Sequence, residues 1–242
     1  MQTAAKKQET SNQLMKSARI IGVLMLVQLV FGILLNFYFL KPILTLNAQS
    51  IASNLSFLLG FSTILALLLS SFNIAFGVLL QRVINDHTNS IIKLVIIFAS
   101  VGFTLCALEY AKMTEYVSFV SKLIHQPTES IIEGQELIRK TLASGRNEVH
   151  FLSIMMSSLS VLLFYVAVLR NNLMPQLLSL FAIFACTLQL IAVGHTLFEL
   201  SIPMAMQLPL FIAQIVVPVY LIVKGFKNES LMALSITHPT DK

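Results

Sequence analysis

Residues 20–40 read IIGVLMLVQLVFGILLNFYFL, an apolar run without a charged side chain. The hydrocarbon core of a bilayer is about 30 Å thick, and a helix rising about 1.5 Å per residue crosses it in about 20 residues. The run therefore predicts a membrane-spanning helix. Lys16 and Arg19 precede it as they would precede a signal peptide, but the run exceeds the usual apolar region of about 7 to 15 residues and no small-residue cleavage site follows. We predict a retained first helix.

The composition extends this conclusion to the whole chain. Of its 242 residues, 56% are hydrophobic and 11% are charged, whereas a soluble domain carries about 25% charged residues. The formal net charge of +5 comes from basic residues that lie mostly at the ends of apolar runs, not in a stripe with exposed aromatics. We therefore predict the lipid bilayer as partner and no binding of nucleic acid.

Six apolar runs are long enough to span a membrane, and we predict an all-α, polytopic membrane helix bundle from them. Strands of outer-membrane barrels are about 10 residues long and alternate in polarity, which these runs do not. Pro209 and Pro218 interrupt the last run. Neighbouring helices partly compensate a proline in a membrane helix, so we expect a bend near Pro218 and no break. The predicted spans are 20–40, 55–80, 91–110, 151–169, 177–198 and 203–223.

The distribution of basic residues predicts the orientation. Of the 16 Lys and Arg residues, ten lie on the side of the two termini and six on the other, five of these in the long segment 111–149. Short loops rich in Lys and Arg stay in the cytoplasm, whereas long loops translocate largely regardless of charge. We predict a multi-pass protein of a bacterial inner (plasma) membrane, with a cytoplasmic tail over 1–19, a six-helix membrane domain over 20–226 and a second cytoplasmic tail over 227–242.

The segment between the third and fourth spans has room for structure outside the bilayer. Ile131, Ile132, Ile138 and Leu142 recur at near-helical spacing, and Gly145 follows them. We predict a short extracytoplasmic amphipathic helix over 128–142, between helices 3 and 4. It would cap the bundle, lie on the membrane surface or bind a partner.

A few ionisable residues lie near the ends of the apolar runs. His195 and Glu199 are one helical turn apart and therefore share a helix face. An imidazole and a carboxylate so placed would bind a metal, pass a proton or form a hydrogen bond, but a metal needs further ligands. We predict no metal and treat the residues as a candidate polar cluster, against the alternative of independent interfacial side chains. The cluster comprises Glu109, His150, His195 and Glu199.

Deeper polar residues are uncharged. Ser153, Ser157 and Ser160 form a stripe on one face of the fourth helix, where small hydroxyl side chains let helices approach closely and hydrogen-bond. The carboxamides would either join helices in the same way or line a transport path. These intramembrane polar residues are Gln28, Asn36, Asn73, Gln189 and Gln214.

Motifs for chemistry are absent from the sequence. It contains no zinc-protease motif, nucleophile elbow, phosphate-binding glycine loop or dinucleotide fingerprint. Cys106 and Cys186 stand in separate apolar runs without a nearby Cys or His, so we predict buried small side chains. The expectation is a protein without a cofactor that is not an enzyme.

Two stretches in the last third, LLFYVAVLRNNLMPQLLSLFAIFA over 162–185 and LPLFIAQIVVPVYLIVKGF over 208–226, resemble the bacterial domain-of-unknown-function family 4386. The residues 18–34 also look like the first helix of that family. Gln214 stands where family members often have a glutamate, six residues before a tryptophan that is Tyr220 here. The resemblance implies the fold and the membrane location, and no activity. It is carried by Phe164, Tyr165, Pro175, Leu178, Ser179, Leu221, Ile222, Lys224, Gly225 and Phe226.

Three functions remain open at this point. The uncharged helix interiors favour a non-enzymatic structural or interaction component. A small-solute carrier or channel is the first alternative, and a cavity touching at least three of the five intramembrane polar residues would favour it. The second alternative is a membrane enzyme or metal site at the extracytoplasmic face. Protein partners cannot be named, and homo-oligomer formation is left open.

Overall fold

The computed structural model describes residues 2–44, 55–84, 90–124, 133–198 and 200–227, and every element in these ranges is a helix. Within them, six helices are long and apolar enough to cross a membrane. The prediction of an all-α fold with six helices able to span a membrane is thereby confirmed. Its helices are α1 (Gln2–Leu34), α2 (Leu55–Ile84), α3 (Ser90–Ile124), α4 (Glu133–Arg170), α5 (Gln176–Gly194) and α6 (Leu208–Val223).

Shorter helical pieces adjoin three of these helices. α1 continues into a π-helical segment, Leu35–Leu40, and a last turn, Lys41–Leu44. A 3-10 turn, His195–Phe198, follows α5, and another, Met204–Gln207, precedes α6. α6 runs through Pro218 as one helix, so the predicted continuity across this proline is correct.

The helices form a ring in chain order, because each packs on the next and α6 returns to α1. At this closing contact, a Cβ atom on Gly22 would lie 2.8 Å from the carbonyl oxygen of Pro218. Real Cβ atoms do not approach a backbone oxygen so closely. The two backbones therefore meet at a point that only glycine fits.

The serine stripe joins α4 to α3, as predicted. Ser153 Oγ donates a 3.1 Å hydrogen bond to the carbonyl oxygen of Gly102, and Ser160 Oγ donates one of 2.8 Å to that of Val95. Ser157 lies between them, where a Cβ atom on Gly102 would be 2.5 Å from its Oγ. Hydroxyls and a glycine thus bring the two helices into close contact.

The start of α4 corrects one prediction. Residues 133–142 are helical, but they belong to the 38-residue helix α4 and do not form a separate short helix. The helix continues through Gly145, because the cost of an internal glycine, about 1 kcal/mol, is small beside the packing of Leu142 and Ala143 against an apolar cluster. Residues 128–132 lie outside the described ranges.

The lengths of α3 and α4 exceed the thickness of a bilayer. With 35 and 38 residues they measure about 52 and 57 Å, against a hydrocarbon core of about 30 Å. The predicted spans 91–110 and 151–169 lie inside them. Both helices therefore extend beyond the hydrocarbon on the side of their connection.

The structure describes most of the predicted N-terminal tail and only the first residue of the predicted C-terminal tail. Residues 2–19 are part of α1, and Leu14 and Ala18 are buried in the bundle. At the other end, Gly225 follows α6 with a φ of +73°, a conformation that glycine adopts without strain. Phe226 is buried behind it. Residues 228–242 are not among those described.

Candidate functional site: a central polar cavity

A cavity of about 310 Å³ lies inside the ring, and all six helices contribute to its wall. Ligand pockets commonly measure about 300 to 1,000 Å³. At about 30 Å³ for each molecule of liquid water, the space corresponds to about ten waters. The bundle therefore has an interior large enough for a small molecule.

Two apolar clusters lie on either side of the cavity. The first contains buried side chains from all six helices. The second contains buried side chains from α2, from α3 and from the π-helical segment and last turn that follow α1. Met25 and Phe76 of the first cluster and Leu35 and Leu69 of the second also line the cavity. The first is represented by Ile21, Leu80, Val95, Val168, Ala182 and Val217, and the second by Leu35, Leu59, Leu65, Met113, Tyr116 and Val117.

The structure places the five carboxamide residues on the cavity wall. Gln28 and Asn36 come from α1 and its π-helical segment, Asn73 from α2, Gln189 from α5 and Gln214 from α6. They are up to 186 positions apart in sequence, since residue 28 and residue 214 both line the cavity. A scattered set of polar residues thus converges on one space.

Hydrogen bonds engage these amides unequally. Gln28 Nε2 donates to Asn73 Oδ1 and to the carbonyl oxygen of Leu69, both at 3.3 Å. Ser158 Oγ donates a 3.1 Å bond to Gln189 Oε1. Within the described part of the chain, the side chain of Gln214 makes no hydrogen bond. The wall therefore retains polar groups that a bound molecule can use.

The charged part of the wall is built on Glu109 of α3. Arg146 Nη2 of α4 donates a 2.8 Å hydrogen bond to Glu109 Oε1, and both side chains are buried. His150 Nδ1 lies 2.9 Å from the same oxygen, an ion-pair distance, although the ring is not oriented for a hydrogen bond. Glu109 and His150 line the cavity, whereas Arg146 lies behind them.

The sequence prediction missed Arg146. It precedes His150 by four residues, so both lie on one face of a helix if the helix continues through Gly145. Because we ended the predicted short helix at residue 142, Arg146 was counted as a loop residue. The four-residue spacing from Arg146 to His150 was therefore visible in the sequence, but the predicted helix ended too early for it to be used.

The other half of the predicted polar cluster does not join this group. His195 is not part of the cavity wall, and its Nδ1 donates a 2.8 Å hydrogen bond to the carbonyl oxygen of Ile191. Glu199 lies outside the described residues. Throughout the ranges that the structure covers, no three His, Cys, Asp or Glu side chains come together as metal ligands.

Comparison with known families assigns the chain. A family model described as a domain of unknown function, DUF4386, matches residues 20–225. The chain belongs to this family. No curated protein and no solved structure matches it.

The DUF4386 match extends from Ile20 in α1 to Gly225, just after α6, so it includes the whole wall of the cavity. Gln214, where the resemblance places a glutamate in other DUF4386 members, is one of the wall residues. The carboxamide at this position is therefore in a place where a change of charge would alter the cavity.

Proposed function

We propose that this protein is a non-enzymatic carrier that binds a small polar solute in its central cavity and moves it across a bacterial inner membrane. The observation that carries the proposal is the convergence of all five intramembrane carboxamides on one cavity. Polar groups inside a membrane mark substrate paths when they face a cavity, and merely join helices when they face one another.

The hydrogen bonds leave part of the wall available to a solute. Gln28, Asn73 and Gln189 bond to residues of other helices and therefore also join helices. The exposed side chain of Gln214 makes no hydrogen bond to the described residues. It lines the cavity, so its carboxamide can bond to water or to a solute.

The two apolar clusters support access from one side. The first closes the bundle near Arg19, Arg82 and Arg170 with side chains from every helix. The second includes no buried residue from the described parts of α5 and α6. We propose that the closed end is cytoplasmic, as its basic residues indicate, and that solute enters beside α5 and α6 from the extracytoplasmic side.

An interaction role is the second candidate, and one observation favours it. The ends of α3 and α4 project beyond the hydrocarbon, and Leu137 and Ile138 there are 67% and 48% exposed. Exposed apolar side chains outside the membrane are typical of contact surfaces. This role is compatible with a carrier and makes no use of the cavity.

Thiol accessibility tests the carrier. In a background with Cys106 and Cys186 replaced by alanine, single cysteines are introduced at Asn73 and Gln214 on the wall, and at Ala182 and Val217 in the first cluster as controls. The protein is reconstituted into liposomes and treated with a membrane-impermeant methanethiosulfonate from either side. Because a carrier must open to the cytoplasm as well during its cycle, we expect modification at the two wall positions from both sides, and none at the control positions.

Two results would count against the proposal. If neither wall position reacts, the cavity is not hydrated and holds no polar solute. If the wall positions react from one side only under all conditions, the protein binds a solute without carrying it.

A further inference from the structure

We infer that the cavity selects an uncharged polar solute, such as a polyol or a small amide, and rejects ions of either sign. This inference rests on the proposed function, because it names the class of solute that the carrier would take. Three properties of the wall carry it: its balance of charge, its hydrogen-bonding groups and its size.

The balance of charge comes from the ion pair between Glu109, on the wall, and Arg146, behind it. Among the lining residues of the described chain, Glu109 is the acidic one, and no Lys or Arg reaches the cavity. Arg146 neutralises Glu109 at 2.8 Å from outside the lining. The carboxylate of Glu109 and the guanidinium of Arg146 therefore balance each other, and the pair offers no net charge to an ion. An ion without a counter-charge is expensive to move out of water.

The hydrogen-bonding groups suit hydroxyls and amides. Each of the five carboxamides offers both donor and acceptor atoms, and serine hydroxyls do the same. Ser70, Ser153, Ser157 and Ser158 add such hydroxyls to the wall. A solute with several hydroxyl or amide groups can exchange its hydration for these contacts without changing its charge.

The size of the cavity limits the solute. Its volume of about 310 Å³ corresponds to about ten water molecules, and therefore to a solute of about ten non-hydrogen atoms. Glycerol, erythritol and urea fall within this limit, as do the cation choline and the anion lactate. Size alone thus does not separate the charged probes from the neutral ones.

Protection of a native cysteine provides the test. Cys106 lines the cavity and Cys186 is the only other cysteine of the chain, so Cys186→Ala leaves one reporter on the wall. The small neutral reagent methyl methanethiosulfonate modifies it in liposomes, with each solute present in turn at the same pH. We expect glycerol, erythritol or urea to slow modification several-fold and choline and lactate to have no effect.

Charge variants sharpen the test. Arg146→Gln leaves Glu109 uncompensated, so choline should then protect Cys106; Glu109→Gln leaves Arg146 uncompensated, so lactate should protect it. The double variant restores the balance and should again respond to neutral solutes. Each variant is compared with its own rate without solute, and circular dichroism checks its helix content.

The outcomes separate the two proposals. If the reagent reaches neither Cys106 nor the cysteines introduced at Asn73 and Gln214, the hydrated cavity and hence the proposed function fail. If it reaches Cys106 but choline or lactate protects the otherwise native chain, or none of the three neutral solutes does, the inference about solute class is overturned while the cavity stands. An unchanged preference in both single variants would also overturn it.

Discussion

Arg146 donates a hydrogen bond of 2.8 Å to Glu109 from the neighbouring helix, and each side chain is at most 7% exposed. Removing one partner of a buried ion pair leaves an unpaired charge and costs about 3–5 kcal/mol, whereas removing both costs much less. We therefore expect Glu109→Gln and Arg146→Gln each to lower the free energy of unfolding by this amount, and the double variant to lower it less. Denaturant unfolding in detergent, followed by circular dichroism, measures the effect.

Glu115→Gln is the matched control for this prediction. Glu115 lies on the same helix and pairs with Lys112 at 2.9 Å, but these side chains are 51% and 39% exposed. An exposed pair contributes about 0–1 kcal/mol. Equal losses in Glu109→Gln and Glu115→Gln would show that the buried pair does not hold α3 to α4.

The contact between α1 and α6 predicts a second effect. Gly22→Ala places a methyl group 2.8 Å from the carbonyl oxygen of Pro218, so the helices must separate, at about 1–3 kcal/mol for overpacking. Gly32→Ala, on the same helix with nothing within 4 Å of its added Cβ, should instead gain about 0.5–1 kcal/mol of helix propensity. Thermal unfolding of both variants should shift in opposite directions. A gain of stability in Gly22→Ala would contradict the close contact.

The serine stripe predicts a third, smaller effect. Ser160→Ala removes the hydrogen bond to the carbonyl oxygen of Val95, and such bonds between membrane helices contribute about 0.6 kcal/mol on average. Ser71→Ala, whose hydroxyl bonds the carbonyl oxygen of Leu68 in its own helix, has no partner on another helix to lose. We expect Ser160→Ala to be the less stable variant in detergent unfolding. If Ser71→Ala were the less stable variant, the contact between α3 and α4 would depend on residues other than Ser160.

Run length predicted the spans because the thickness of a bilayer is fixed, and each span had to bury about 20 apolar residues. The same argument placed Gln28 and Gln214 inside the membrane without indicating what they face. Glu109 and Arg146 are 37 residues apart, and their meeting depends on how α3 and α4 pack. Spacing along a single helix carries no such information, so the ion pair and the cavity could be found only in three dimensions.

His195 was predicted to belong to the polar cluster, and this prediction was wrong. Its spacing from Glu199 made it the most regular part of the predicted cluster, yet its ring bonds a carbonyl of its own helix and does not reach the cavity. Spacing within one helix predicts which residues share a face of that helix. It does not predict which cavity or neighbouring helix that face contacts. Ser153 and Ser160 were predicted more successfully, because small residues at helical spacing have few other uses in a membrane helix.

The proposed orientation predicts the location of two fusion points. A reporter fused after Lys227 should be cytoplasmic, and one inserted at Gly134 should be extracytoplasmic, because an odd number of spans separates the two points. Phosphatase activity, which requires export, and fluorescence of a cytoplasmic reporter measure the two locations. The same side for both fusions would overturn the six-span topology.

The seam between α1 and α6 has a consequence for how the protein is made. α1 leaves the ribosome first and α6 last, although Gly22 and Pro218 end up in contact. Until α6 enters the bilayer, the cavity lacks the part of its wall that Leu210 and Gln214 form. A nascent chain therefore displays an incomplete polar cavity, which distinguishes it from the finished bundle for any quality-control system that detects polar groups in lipid.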